Sequence, residues 1–249
     1  MGDPVSLEGV TSGDRMTDAE PRRSAPVARI DLRALRANAE SLLIHADGEF
    51  SVADLRRDAW GHGLVPVAHA LRDLGVDAFV VDERDIDRLG SEFAGTAVSS
   101  VGTPTLGGDE VFGLPGSTGA PVMRLTGTVL LTKALRRGEG VSYGYTHRAP
   151  ADTHVALVTG GYAQGVVRGL GDHISVGIGA ALHPVVGRVA MDVCVVDIGD
   201  SPVSRGDEVV FFGGERGDPG LGEWMLHSQL TGAELVIAIG LRVQRRYTG

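Results

Sequence analysis

The feature that most restricts the fold is a switch of period near the middle of the chain. Between Val27 and Gly102, short apolar runs alternate with amphipathic helical stretches; from about Pro121 onward, strand-length runs separated by Gly, Asp and Pro turns take over. The first pattern is that of parallel βα units, the second that of a β-rich domain. "VARIDL" (27–32) alternates apolar and polar residues as a half-buried strand does. Asp31 is placed to cap a helix on which Leu32, Leu35, Ala39, Leu42 and Leu43 share a face. Phe50–Leu55 reads as a second strand, Leu64–Leu74 as an amphipathic helix closed by Gly75, and "VDAFVVD" (76–82) as a buried strand. "ERDIDRLG" reads as a further helix and "GTAVSSVG" (95–102) as a short third strand of this region. In the second half only "WMLHSQLTGAELVIAIG" reads as helical. The expected organisation is a flexible tail over 1–25, an α/β segment over 26–112, a Gly/Ser/Pro-rich linker over 113–121 and a β-rich domain over 122–249.

Composition removes several function classes. A net charge of −9 with no basic stripe speaks against nucleic acid as a partner. The longest apolar runs are too short and Gly-interrupted to span a bilayer, and the opening residues lack a signal-peptide pattern, so no membrane role is expected. The single cysteine, Cys194, excludes an internal disulfide and suits a cytoplasmic location. His147, His154, His173 and His183 lie near Asp152, Asp172 and Asp192 in sequence but without the tight spacing of a zinc site, so no metal is expected. Of 23 basic residues only Lys133 is a lysine, which leaves a single candidate for any chemistry that needs an amine.

Two groups of motifs then narrow the reading. "ARIDLRALRANAESL" followed by "RRDAWGHGLVPVAHAL" lies in the front segment; "GEGVSYGYTHRA", "GGYAQG", "PVVGRVAMD", "GDEVVFFG" and "GLRVQRRY" follow in order in the back. Together they resemble the alanine racemase family, pyridoxal-phosphate enzymes built from a parallel α/β barrel and a C-terminal β-domain. The fold this implies is a partial parallel βα barrel segment followed by an alanine racemase-like β-domain. A complete barrel takes at least about 200 residues, and only the stretch from Val27 to the linker is available here, room for three βα units.

Carried over residue by residue, the resemblance gives a divided site. Tyr143, in "VSYG", falls on the family's catalytic tyrosine. Met191, in "GRVAMD", falls on a methionine at the carboxylate end of the substrate site, and Tyr162, in "GGYAQG", on a tyrosine of the substrate entry. Asp58, Gly61, His62 and Gly63 keep the frame that follows the cofactor lysine, but the lysine itself is Arg56. The two phosphate-contacting tyrosines are Trp60 and Ala233, and the family's "GYADG" has Gln164 in place of its aspartate.

The arginine has chemical consequences. In the family the lysine amine forms the Schiff base and then takes the α-proton on one face, and both tasks need a nitrogen that can lose a proton near neutral pH. A guanidinium, with a pKa above about 12, does neither. Lys133, in "LTKALRR", reads as a solvent-facing strand residue without the low-dielectric pocket that a catalytic lysine requires.

The resemblance therefore implies an alanine racemase-like pseudoenzyme with a structural, regulatory or partner-binding role. The cofactor it implies is pyridoxal phosphate, with no covalent attachment expected, or none at all. The alternative is residual or partner-dependent racemase activity in D-alanine metabolism. Active dimers of the family place the β-domain tyrosine of one subunit in the barrel of the other, so the implied partners are a second copy of this chain or a full-length racemase to which Tyr143 is offered in trans.

Overall fold

The structure, a computed structural model, describes residues 25–93 and 95–249, and the backbone alone at Tyr143. The expected flexible tail, residues 1–25, lies outside the described residues apart from Ala25.

The front segment comprises β1 (Val27–Asp31), α1 (Leu32–His45), β2 (Val52–Asp54), a turn α2 (Arg56–Trp60), α3 (Leu64–Arg72), β3 (Ala78–Val80), α4 (Ile86–Glu92), β4 (Ala97–Ser99) and α5 (Gly108–Val111). The back segment comprises β5 (Met123–Leu135), β6 (Gly140–Val141), β7 (His147–Arg148), β8 (Thr153–Thr159), β9 (Ser175–Ile178), β10 (Ala181–Pro184), β11 (Val193–Asp197), β12 (Glu208–Phe212), α6 (Gly222–Ser228), α7 (Gly232–Gly240) and β13 (Gln244–Thr248).

Strands β2, β3 and β4 form a three-stranded parallel sheet in that order, with α3 and α4 as crossovers. The strands are short and mostly apolar, and β3 is buried along its whole length, as a strand covered on both faces must be. This is the partial barrel.

β1 departs from the expected division. It runs between β5, antiparallel, and β13, parallel, inside the eight-stranded sheet of the β-domain. The physical reason is its pairing partners: Val27–Ile30 align with Met123–Thr126, and the backbone N–H of Asp31 donates to the Val122 carbonyl at 2.9 Å. The alternation in "VARIDL" announces a strand but not the sheet it joins. Asp31 does cap α1, its Oδ1 accepting from the backbone N–H groups of Arg33 at 2.8 Å and Ala34 at 3.2 Å.

Thirteen-residue β5 organises the large sheet. Its first half pairs with β1 and β12 and its second half with β8, which in turn pairs with β11. Register shifts at Val129/Leu131 and Val210/Phe212 bend the sheet there. β6 and β7 form a separate hairpin. Helix α7 opens with a capping box, Thr231 and Glu234 each bonding the other's backbone N–H.

The stretch expected as a linker is held in place. Asn38 on α1 donates to the carbonyls of Val111 at 3.1 Å and Ala120 at 2.9 Å, and accepts from the Ala120 N–H at 2.8 Å. Leu114 is buried, and one continuous core runs from Leu35, Leu71 and Phe79 through Phe112 to Leu125, Phe211, Trp224 and Ile239.

The two halves also meet where α7 crosses the turn at Gly61. A Cβ built on Gly240 would lie 1.9 Å from the Gly61 carbonyl oxygen. Gly→Ala inside a helix ordinarily gains up to about 1 kcal/mol. At Gly240 the sign reverses: Gly240→Ala pushes α7 off the turn and costs about 2 kcal/mol or more, read as a lower midpoint in denaturant unfolding.

Candidate functional site

Beyond β2 the chain makes a left-handed turn. Arg57, Asp58, Ala59 and Trp60 have φ of 54°, 57°, 52° and 53°, and Gly61 and Gly63 follow at 78° and 100°. Left-handed conformation costs a non-glycine residue roughly 1–2 kcal/mol, so four in a row persist only where surrounding bonds fix them. Asp58 supplies those bonds. Its Oδ1 accepts from the Leu64 N–H at 2.7 Å, and its Oδ2 from the Arg245 guanidinium on β13, which also donates to the Gly61 carbonyl at 3.1 Å. The backbone N–H of Arg57 donates to Asp82 at 2.8 Å. Neither glycine can carry a side chain: a Cβ on Gly61 would meet the Val236 carbonyl at 2.7 Å, and one on Gly63 the Tyr247 hydroxyl at 2.0 Å.

His62 sits fully buried in this turn, its ring stacked on Phe112 with centroids 4.3 Å apart. Nδ1 lies 3.0 Å from the Trp60 carbonyl oxygen and 3.2 Å from that of Ala59, so this nitrogen carries the proton. Nε2 is buried without a partner, and burial pushes the ring pKa down to about 4.

Arg56 opens the turn. Its Nε and Nη2 donate to the two carboxylate oxygens of Asp54 at 2.8 and 2.6 Å, a closed two-point pair. Burial works against the Asp54 charge, but the Arg56 hydrogen bonds, with a lesser contribution from the Trp60 indole, hold its carboxyl below the usual range. Trp60 lies against Gly108 of α5 and tilts toward Phe112, with centroids 5.5 Å apart. Arg56, Arg57, Trp60, Asp82, Arg84 and Ala233 line an open cavity of about 1070 Å³ between the ends of β2 and β3 and helix α7.

The other predicted site residues lie elsewhere. Tyr143 opens a short turn after β6, flanked by Ser142 at φ 65° and Gly144 at φ 78°. The Ser142 hydroxyl donates to the Arg188 carbonyl, tying this turn to the loop before β11. That same loop receives Tyr162: the Tyr162 and Ala163 N–H groups donate to the Ala190 and Met191 carbonyls at 3.0 and 2.9 Å. Tyr162 and Met191 are 40% and 54% exposed, side by side on this rim, with the Arg168 guanidinium over the Tyr162 ring. Gln164 accepts from the Gly161 N–H and donates to Asp192, both at 2.9 Å, so an amide here bridges where an aspartate could only accept.

The residues thus fall into two groups. Arg56, Trp60 and Ala233 share the cavity; the Tyr143 turn, Tyr162 and Met191 share the rim, and neither Tyr162 nor Met191 lines that cavity. Lys133 is exposed on β5 opposite Val155, away from both. Cys194 is buried, and burial pushes its thiol up to about 12. Asp54 and Arg245 carry the geometry around Arg56, and Arg245 gave no signal in the sequence beyond its place in "GLRVQRRY". Among the described residues no three His, Cys, Asp or Glu side chains form a metal cluster, and no helix is long and apolar enough to cross a membrane.

Against known families, the profile "Alanine racemase, C-terminal domain" matches residues 122–247. The chain belongs to the alanine racemase family. Among curated relatives, the alanine racemase of Mycobacterium tuberculosis is 44% identical over 133 residues, 51% of this chain and 34% of the relative. That of Thermobifida fusca is 40% identical over 130 residues, 52% of this chain and 35% of the relative. The chain therefore spans about a third of the length of these relatives. Among solved structures, the alanine racemase of Streptomyces coelicolor superposes with a TM-score of 0.81 at 21% identity, over 91% of this chain and 98% of that one. A Bartonella henselae alanine racemase with covalently bound pyridoxal phosphate gives 0.76 at 16% identity, over 90% and 99%. The alanine racemase fold, with a truncated barrel, is the architecture of this chain.

The buried histidine makes this family turn acid-sensitive. The folded state holds His62 neutral down to about pH 4, whereas the unfolded ring takes a proton near its ordinary 6.5. Its contribution is intact above 6.5 and is lost as pH falls toward 4, about 3 kcal/mol in all. In His62→Asn the amide nitrogen takes the place of Nδ1 without a titration. Its unfolding free energy, measured from pH 7 to 4, is expected to start lower and fall less steeply than that of the wild type.

Proposed function

We propose that this chain is an alanine racemase-like pseudoenzyme, unable to racemise alanine by itself, with a structural, regulatory or partner-binding role. The observation that carries the reading is the closed Arg56–Asp54 pair at the position of the family's cofactor lysine. Pyridoxal phosphate is the cofactor of the family, and the residues present do not fit its covalent attachment. No amine faces the cavity among the residues that line it, the Arg56 guanidinium at the lysine position is occupied by Asp54, and the phosphate-contacting hydroxyls are replaced by an indole packed on Gly108 and by the Ala233 methyl. No step of the family reaction is accordingly assigned to this chain. A cytoplasmic location, and the absence of nucleic-acid, membrane and metal partners, belong to the same reading.

The test is the absorbance spectrum of the purified protein with added pyridoxal phosphate, before and after borohydride, alongside a racemase assay. The expected result is no band near 420 nm beyond free cofactor, no reduced adduct by mass, and alanine racemisation at background. A reducible band on Lys133, or turnover by the protein alone, sinks the reading.

A second reading is favoured by the rim. Tyr143 is held between two residues of positive φ, and Tyr162 and Met191 stand exposed beside that turn, the arrangement of a surface offered outward. In this reading the chain pairs with a second copy or with a full-length racemase and presents Tyr143 in trans, supporting isomerisation toward D-alanine. Co-expression with a full-length racemase whose own catalytic tyrosine is changed to phenylalanine tests it. Recovered activity that disappears with Tyr143→Phe supports the pairing; absence of a complex and of activity removes it.

A further inference from the structure

A parallel sheet cut out of a barrel leaves the outer edge of its first strand without a partner, and that edge must be paired or hydrated. In β2 the two edges are distinguishable. The Ser51 carbonyl accepts from the Ala78 N–H at 3.0 Å and the Leu55 N–H donates to the Val80 carbonyl at 2.8 Å, so these residues point toward β3. Backbone groups in a strand alternate sides, so Val52 and Asp54 point to the outer edge, where a closed barrel would place its last strand.

Both outward groups of Val52 are taken, and by the chain itself. Its N–H donates to the Thr105 hydroxyl at 2.9 Å, and its carbonyl accepts from the N–H groups of Thr105 at 2.9 Å and Leu106 at 3.1 Å. The Thr105 hydroxyl donates in turn to the Phe50 carbonyl at 3.3 Å. Leu106 is buried beside this contact, and α5 follows at once, carrying Val111 and Phe112 into the core. On the way from β4, Gly102 passes over β3, so close that a Cβ there would lie 3.2 Å from the Val80 side chain. Crossing from β4 to the far side of β2 covers three strand spacings, roughly 14 Å. Six extended residues reach about 20 Å, so Ser100–Thr105 spans the distance.

The geometry points to residues 100–107 as an internal strap that stands in for the absent barrel strands. It leaves β4, crosses the sheet, seals the outer edge of β2 at Val52 and delivers α5 to its place under Trp60. The front half thereby closes on itself without a second copy or another protein on that edge. This inference is independent of whether the chain racemises alanine or binds a cofactor.

Amide hydrogen exchange on the full chain tests it. In the wild type the Val52 amide, which has no strand beside it, is expected to exchange as slowly as the paired amides of Ala78 and Leu55. Thr105→Val keeps the side-chain shape and removes the acceptor, so Val52 exchange is expected to quicken at least tenfold while Ala78 and Leu55 stay within twofold. Thr105→Ser, which restores the hydroxyl, returns Val52 to the slow rate. A Val52 amide that exchanges at the unprotected rate in the wild type overturns the inference, and so does one indifferent to Thr105→Val. Should Thr105→Val fail to fold, the wild-type rate and the serine variant still decide.

Discussion

The contact on which the rest depends is the ion pair between Asp58 and Arg245. It joins residues 187 positions apart and ties the left-handed turn after β2 to the last strand of the β-domain. Without it, four non-glycine residues in left-handed conformation would relax, Gly61 would withdraw from Gly240, and the partial barrel would lose its seat on α7. β1 reinforces the join from the other side, because the first strand of the chain lies between β5 and β13 and hands directly into α1. The partial barrel is thus clamped to the β-domain at both of its ends, which accounts for a main core that runs continuously from one to the other.

This explains how the frame Asp58, Gly61, His62, Gly63 outlasts the lysine beside it. The frame looks catalytic because it follows the cofactor residue, yet each member has a mechanical task here. Asp58 fixes the turn, Gly61 and Gly63 let α7 and Tyr247 approach the backbone, and His62 bonds two carbonyls of the turn while stacking on Phe112. None of these tasks refers to the amine. The lysine position is different: its side chain lies in the open cavity and takes no part in the contacts that hold the turn, so an arginine is accommodated by pairing with Asp54 two residues back. The fold of the turn and the residue at position 56 rest on different atoms: Asp58, Gly61, His62 and Gly63 set the first, while Arg56 is held by Asp54.

Much of this architecture was legible in the residues. The Asp31 cap, the helices around Leu35 and Val67, the switch to strands and the late helical stretch all have local causes, a cap, a period or a glycine, and the structure places them where those causes act. The membership of β1 was not legible, because alternation reports a half-buried strand and says nothing about which sheet completes it. Nor was the strap: no local pattern marks the residues that follow the strand read over 95–102, and their importance lies in hydrogen bonds to Val52, more than fifty residues earlier. In the site, the partner of Arg56 is local, Asp54 two residues back; the partner of Asp58 is Arg245, a long-range pairing that a local pattern cannot reveal.

The division between kept and altered site residues follows the surface each one faces. Arg56, Trp60 and Ala233 line this chain's own cavity, and all three depart from the family's pattern. The Tyr143 turn, Tyr162 and Met191, which the resemblance places on residues the family keeps, gather on the rim formed with the loop before β11. The Gln164 bridge between the Gly161 N–H and Asp192 closes the loop that carries Tyr162. Ser142 at positive φ, its hydroxyl bonded to the Arg188 carbonyl, holds the Tyr143 turn against the loop that carries Met191, so the geometry of this rim is set by the β-domain and does not depend on the cavity lined by Arg56.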